Sequence, residues 1–122
     1  MKLIIAIVRP ERLELVQRAL QEVLDEGDNY RLTVKPVEGH GRQHGEVEYV
    51  RGKSVRARAV TRVEVTIGLN DEYVAPAIEA IIRGARSGSS GGSGEVGDGK
   101  IFVLPLDECV RIRTGERGGK AI

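Results

Sequence analysis

The chain reads as an α+β sandwich, one antiparallel sheet with two helices on one of its faces. Three observations predict it. Short runs that are apolar or alternate in polarity fall at Lys2–Arg9, Arg31–Val37, Val60–Leu69 and Ile101–Leu104, each with the length and β-branched content of a strand. Two stretches between them change to a helical period. The whole is 122 residues with 40% apolar side chains, enough for one domain with a modest core.

Each element has a local reason. Lys2–Arg9 is β-branched and ends at Pro10, which predicts a central strand. From Glu11 onward Leu13, Val16, Leu20, Val23 and Leu24 share one helical face, with Glu14, Arg18 and Gln21 between them. Gly27-Asp28-Asn29 stops that helix. Arg31–Val37 sets Leu32, Val34 and Pro36 against Thr33 and Lys35, and Pro36 marks an edge or a strand end. Gly39–Arg58 mixes glycines, two histidines and charges with scattered apolar residues. It predicts a long loop, about 40–58, of a length that is uncommon unless functional. Val60–Leu69 restores alternation, with Val63, Val65 and Ile67 against Arg62, Glu64 and Thr66. A second helix starts at Asn70 or Asp71 as N-cap and turns Val74, Ile78, Ile81 and Ile82 inward. Residues 87–94 have the composition of a flexible Gly/Ser linker. After the strand that ends near Pro105, Val110-Arg111-Ile112-Arg113 adds a short alternating segment. The order β-α-β, long loop, β-α-β is the ferredoxin-like βαββαβ sandwich in a single domain, 1–122. Its second sheet face carries few polar residues, and an oligomer is the natural cover.

Composition excludes several classes. A formal net charge of +1 gives no bulk electrostatic attraction to nucleic acid. An RNA-binding module on this fold needs stacking aromatics, whereas Phe102 is the single Phe and there is no Trp. A salt-dependent gel shift with single-stranded RNA would test that remote alternative. The lone Cys109, flanked by Glu108 and Val110, rules out an internal disulfide and reads as packing. The apolar run Leu3–Val8 is too short for a signal or a membrane span, so a soluble, cytoplasmic protein is expected. Neither an activated nucleophile nor a poised acid–base pair is visible, which argues against an enzyme.

Three clusters carry the chemistry. Gly97-Asp98-Gly99-Lys100 is a two-glycine turn that lets backbone approach a phosphate, with a compact positive charge beside it. Gly94–Lys100 fits G-x-x-x-x-G-K, but Ile101 replaces the magnesium-binding Ser or Thr, and a strand follows where a P-loop needs a helix. The rival reading is a plain hairpin turn. Arg111 and Arg113, two apart on an expected strand, would project to one side and suit bidentate phosphate contact; the bland reading is two solvated arginines. Gly39-His40-Gly41-Arg42-Gln43-His44-Gly45 again permits close backbone approach. His40 and His44 have no carboxylate or cysteine at ligand spacing, so no metal is expected there.

In this order and on this fold the clusters resemble the P-II nitrogen-regulatory signal-transduction family. The matching residues are Gly39-x-Gly41-Arg42-Gln43, Tyr49-x-Arg51-Gly52, Ser93-x-x-x-Gly97-Asp98-Gly99-Lys100-Ile101-Phe102-Val103, Arg111-Ile112-Arg113-Thr114-Gly115-Glu116 and Ala121-Ile122. The resemblance runs from Met1 to Ile122. It implies a homotrimer with ATP or ADP in each of three clefts between subunits, and in many members 2-oxoglutarate held through Mg2+ on the ATP phosphates. By position, Gly97, Asp98, Gly99 and Lys100 would wrap the phosphates, Arg111 and Arg113 would reach them from the adjoining subunit, and Thr33 would lie near adenine. Gly41, Arg42 and Gln43 would open the T-loop, with Gln43 toward Mg2+ or 2-oxoglutarate. The basic residues Arg51, Lys53, Arg56 and Arg58 would engage a target, either an ammonium transporter or a metabolic enzyme or regulator. Arg51 matches the family arginine that enters an ammonium channel; the bland reading of the run is a solvated loop.

The departures shape the expectations. Arg62 stands where the family has the lysine that pairs with 2-oxoglutarate, keeping the charge but not the point geometry. Weak binding of the acid, or none, is expected. Val55 replaces the loop-tip tyrosine that many bacterial members have uridylylated, so that switch is absent. Tyr49 remains elsewhere in the loop, and Ser54 lies one residue from the phosphoserine position of some members. The linker before the phosphate turn is longer than usual. The alternative is a diverged regulator of another process, such as carbon or bicarbonate metabolism, that binds adenine nucleotide but not 2-oxoglutarate.

Overall fold

β1 (Lys2–Val8) alternates buried and half-buried residues, with Ile4, Ala6 and Val8 sealed from solvent and Leu3, Ile5 and Ile7 on the opposite face. Period-two alternation on a strand paired along both edges makes it the centre of the sheet. It is antiparallel to β5 (Val60–Leu69) on one side and to β6 (Gly99–Pro105) on the other, with Ile4 opposite Ile67 and Val103. β2 (Thr33–Gly39) pairs with the outer edge of β5, giving the order β2-β5-β1-β6. The computed structural model describes residues 1–24, 30–40, 48–50, 53–55, 60–88 and 92–122.

The helices α1 (Leu13–Val23) and α2 (Asp71–Ala85) cover one face. A 3-10 turn at Pro10–Arg12 leads into α1, where Pro10 fits because first-turn N–H groups have no helical acceptor. Val16, Ala19 and Leu20 of α1 and Ala77, Ala80, Ile81 and Ala85 of α2 pack onto Val63, Val65, Ile67 and Leu69 of β5. Each fully buried Val, Leu or Ile contributes about 1.5–3 kcal/mol. The two helices meet closely at Gly84, where an added Cβ would lie 2.7 Å from Val16 Cα and 2.8 Å from Val16 N.

This is the expected ferredoxin-like arrangement, with local corrections. Ile82, expected inward, is 38% exposed; the tight helix contact takes small residues at its centre and leaves Ile82 beside it. Part of the expected long loop is a hairpin, β3 (Glu48–Val50) with β4 (Lys53–Val55), which pairs Tyr49 with Ser54. The segment expected to alternate as a strand at 110–113 is a turn: Val110 makes an isolated bridge to Arg117, and residues 112–114 bend. Asn70 is the N-cap of α2, yet its side-chain oxygen accepts no bond from the helix N–H groups; its amide donates to Gly119 O at 3.1 Å, tying the 118–121 turn to the sheet.

Among the described residues no helix covers the other sheet face. There Leu3 and Ile5 lie beside Leu104 and Phe102 in register, and Phe102 remains 49% exposed. Among the described residues no helix is long and apolar enough to cross a membrane.

Candidate functional site

The phosphate-turn candidate sits where β6 begins. Gly97 and Gly99 have φ of +98° and +117°, a region that glycine enters at little cost. Gly99 pairs with Val8, and a Cβ on it would overlap the Ile7 carbonyl oxygen and lie 2.9 Å from the Ile7 carbonyl carbon. Glycine is therefore what lets this turn press on the central strand.

Asp98 holds the turn from behind. Its Oδ2 accepts from Ser87 N at 3.0 Å and Glu95 N at 2.8 Å, and its Oδ1 accepts from the Ser87 hydroxyl. Arg9 adds an ion pair, Nε to Oδ1 at 3.4 Å, and donates from Nη2 to Val96 O at 3.0 Å. Burial opposes charge on Asp98, but the bonds from Ser87 and Glu95 and the positive charge of Arg9 outweigh it, holding the carboxyl below its usual range. The carboxylate is thus spent on bracing the loop. The start of the 87–94 linker is correspondingly tied down at Ser87, while 89–91 lie outside the described residues.

Lys100 faces a different fate. Its side chain is exposed, with no ion pair or hydrogen bond to a described residue, and it lines a cleft of about 690 Å³ with Gly39, His40, Arg62, Gly97 and Gly99. Arg62 donates from Nη1 to its neighbour's carbonyl, Thr61 O, at 2.9 Å. So the sheet brings the ends of β2, β5 and β6 together on one basic, glycine-lined mouth. Gly41, Arg42 and Gln43, together with His44, Arg51, Arg56 and Arg58, lie outside the described residues; Lys53 is in β4. On the helix side of the same turn a cavity of about 580 Å³ is lined by Ile78, Ile82, Val8 and Ile101 together with Arg86 and Asp98.

Arg111 and Arg113 lie elsewhere. The turn that carries them is closed by Gly115 N to Arg111 O at 2.8 Å and Arg111 N to Glu116 O at 2.9 Å, with Gly115 at φ +72°. Arg111 donates from Nη1 to Glu116 Oε1 at 3.1 Å and from Nη2 to Lys120 O at 2.9 Å. Arg113 is exposed with no such partner among the described residues. Both line a third cavity, of about 480 Å³, with Gly68, Cys109 and Arg31. Arg31 escaped the sequence reading because it is one isolated charge before a strand, with no motif around it. Thr33 is exposed at the start of β2, opposite Thr66.

The two clusters stand at opposite ends of β6. Gly99 is level with Val8, whereas Leu106 N bonds to Met1 O at 3.1 Å and the following segment packs by Gly68, which is level with Leu3. Seven residues of strand separate them by about 20 Å. The turn and the arginines of one chain therefore cannot hydrogen-bond the same phosphate.

The nitrogen regulatory protein P-II family model matches residues 1–116. The chain belongs to the P-II family. Nitrogen regulatory protein GlnK1 of Methanosarcina mazei is 45% identical over 122 residues, covering 100% of this chain and 97% of the relative. Nitrogen regulatory protein P-II of Azospirillum brasilense is 43% identical, with full coverage of both. Among solved structures, the crystal structure of Arabidopsis thaliana PII bound to citrate superposes with a TM-score of 0.73 at 37% identity, over 99% of this chain and 91% of that one. This P-II chain is accordingly a signal-transduction protein of nitrogen regulation, a regulator and not an enzyme.

Proposed function

We propose that this P-II chain is a homotrimeric, cytoplasmic sensor of adenine nucleotides that signals through the loop at 40–58. The observation that carries the reading is the placement of Gly97–Lys100 and of Arg111 and Arg113 at opposite ends of β6. Two half-sites with spare positive charge, too far apart within one chain, become one site when a second copy sets its arginines against the first copy's turn. The open face around Leu3, Ile5, Phe102 and Leu104 supplies an apolar surface for that contact, and a head-to-tail contact that closes after three copies leaves none of it bare.

In this reading Gly97 and Gly99 present backbone to the phosphates of ATP or ADP, Lys100 adds its charge, and Asp98 keeps the turn in shape. The neighbour's Arg111 and Arg113 complete the phosphate site, and Thr33 lies toward adenine. The turn suits a phosphate chain: Gly97 and Gly99 at positive φ leave its backbone without side chains, and the Lys100 side chain has no partner among the described residues. Mg2+ accompanies ATP through Gln43, and Gly41 and Arg42 link the site to the loop. 2-Oxoglutarate binds weakly at most, because Arg62 occupies the lysine position. Arg51, Lys53, Arg56 and Arg58 meet the target, an ammonium transporter or a metabolic enzyme.

Subunit complementation tests this. Lys100→Ala and Arg113→Ala each lose one charge-assisted contact, about 1.5–3 kcal/mol or roughly tenfold to a hundredfold in affinity. Mixing the unfolded variants and refolding them together creates some sites with an intact turn and intact arginines. Calorimetry with ATP and ADP should then recover a tight-binding fraction absent from either variant alone. A monomer by light scattering, or no recovery on mixing, removes the shared-site reading.

A further inference from the structure

Three arginines line the cavity near Gly68. Arg111 and Arg113 reach it from the closing turn, and Arg31 reaches it from the approach to β2. The placement of Arg31 has a local cause. Tyr30 packs on Tyr73 with ring centroids 5.1 Å apart, and Tyr30 and Leu32 are both packed against the core, while Arg31 between them is exposed. The β2–β5 ladder begins with Thr33 opposite Thr66, and Arg31, two residues before it, lines the same cavity as Gly68. With no side chain at Gly68, the space beside it stays open.

Like charges gathered around one cavity repel unless an anion lies among them. The acidic group at hand, Glu116, is 3.1 Å from Arg111 and bonded to it. Arg111 also gives Nη2 to Lys120 O, so part of its donor set braces the turn. Arg31 and Arg113 have no ion pair or side-chain hydrogen bond among the described residues, which leaves their planar forks available for bidentate contact with an oxyanion.

We infer that Arg31 is a third anion-binding side chain of this cavity, one that contacts the phosphates of the bound nucleotide beside Arg113 and makes the site discriminate by phosphate charge. The inference rests on the nucleotide reading above. Losing one charged contact to a polyphosphate weakens binding most where the ligand carries most charge.

The test is calorimetry with ATP, ADP and AMP on the full-length Arg31→Gln, Arg113→Gln and unmodified proteins, at two salt concentrations. Arg31→Gln should weaken ATP about tenfold or more, ADP less and AMP least, and should flatten the salt dependence of ATP binding. Arg31→Lys should restore part of the affinity. Circular dichroism and light scattering on each variant exclude a folding or assembly defect, which an exposed side chain should not produce. If Arg113→Gln weakens ATP and Arg31→Gln leaves it within twofold, the inference falls while the proposed function stands. Equal weakening of all three nucleotides would put Arg31 against the base or ribose and overturn its phosphate role. If the unmodified protein binds none of them, both fall together.

Discussion

Gly99→Ala is the most direct probe of how the phosphate turn is made. The new Cβ would overlap Ile7 O and stand 2.9 Å from Ile7 C and 3.3 Å from Val8 Cα, all backbone atoms of β1. β1 is paired along both edges and cannot yield, so the start of β6 must move. A non-glycine residue at φ +117° costs about 1–3 kcal/mol in strain. Losing the last pairs, Val8 with Gly99 and Ile7 with Lys100, adds about 0.5–1.5 kcal/mol for each hydrogen bond broken. Together these destabilise the fold by about 2–6 kcal/mol. Gly115→Ala is the control: its φ is +72° but nothing lies within 4 Å of the added Cβ, so it bears strain alone, about 1 kcal/mol. Urea denaturation of both variants at matched protein concentration measures the difference, and hydrogen exchange at Lys100 and Ile101 shows whether the end of β6 has peeled away. Equal midpoints for the two variants, with native protection at Lys100, would refute the close-approach argument.

Other outcomes follow from the same geometry. Gly84→Ala gains about 1 kcal/mol of helix propensity, but its Cβ meets Val16 backbone at 2.7 Å and overpacking costs about 1–3 kcal/mol; net destabilisation is expected in denaturant melts, and a more stable variant would show the helices have room to part. Because Asp98 is held below its usual range, the clasp it forms is fully present above the unfolded carboxyl value of about 3.9 and is lost as pH falls through the lower folded value. Amide exchange at Ser87 and Glu95 should therefore quicken, relative to the intrinsic rate, only in acid, whereas Asp98→Asn should show quickened exchange already at neutral pH. Finally, 2-oxoglutarate titrated into protein with Mg-ATP should bind weakly or not at all and gain affinity in Arg62→Lys; tight binding by the unmodified protein would show that arginine serves as well as lysine.

Sequence alone was enough for whatever is decided within a few residues. The alternation of Val60–Leu69 gave a strand with those bounds, since side-chain polarity with period two has one stable placement on a half-covered sheet. The helical faces of α1 and α2 were legible for the same reason, though Ile82 was not, because how closely two helices approach depends on both. Four alternating residues at 110–113 could not separate a strand from a turn. What decided it was Gly115 in a left-handed conformation and the pairing of Arg111 with Glu116, contacts made only once the segment folds back. The glycine–lysine turn was readable as a motif, but the work of Asp98 was not, because its partners Arg9 and Ser87 come from other parts of the chain. Nor could sequence place Arg31 with Arg111 and Arg113, or set that group a strand's length from Lys100. Strand order and register, fixed by how the whole sheet packs under its helices, determine which distant charges share a cavity and which are kept apart.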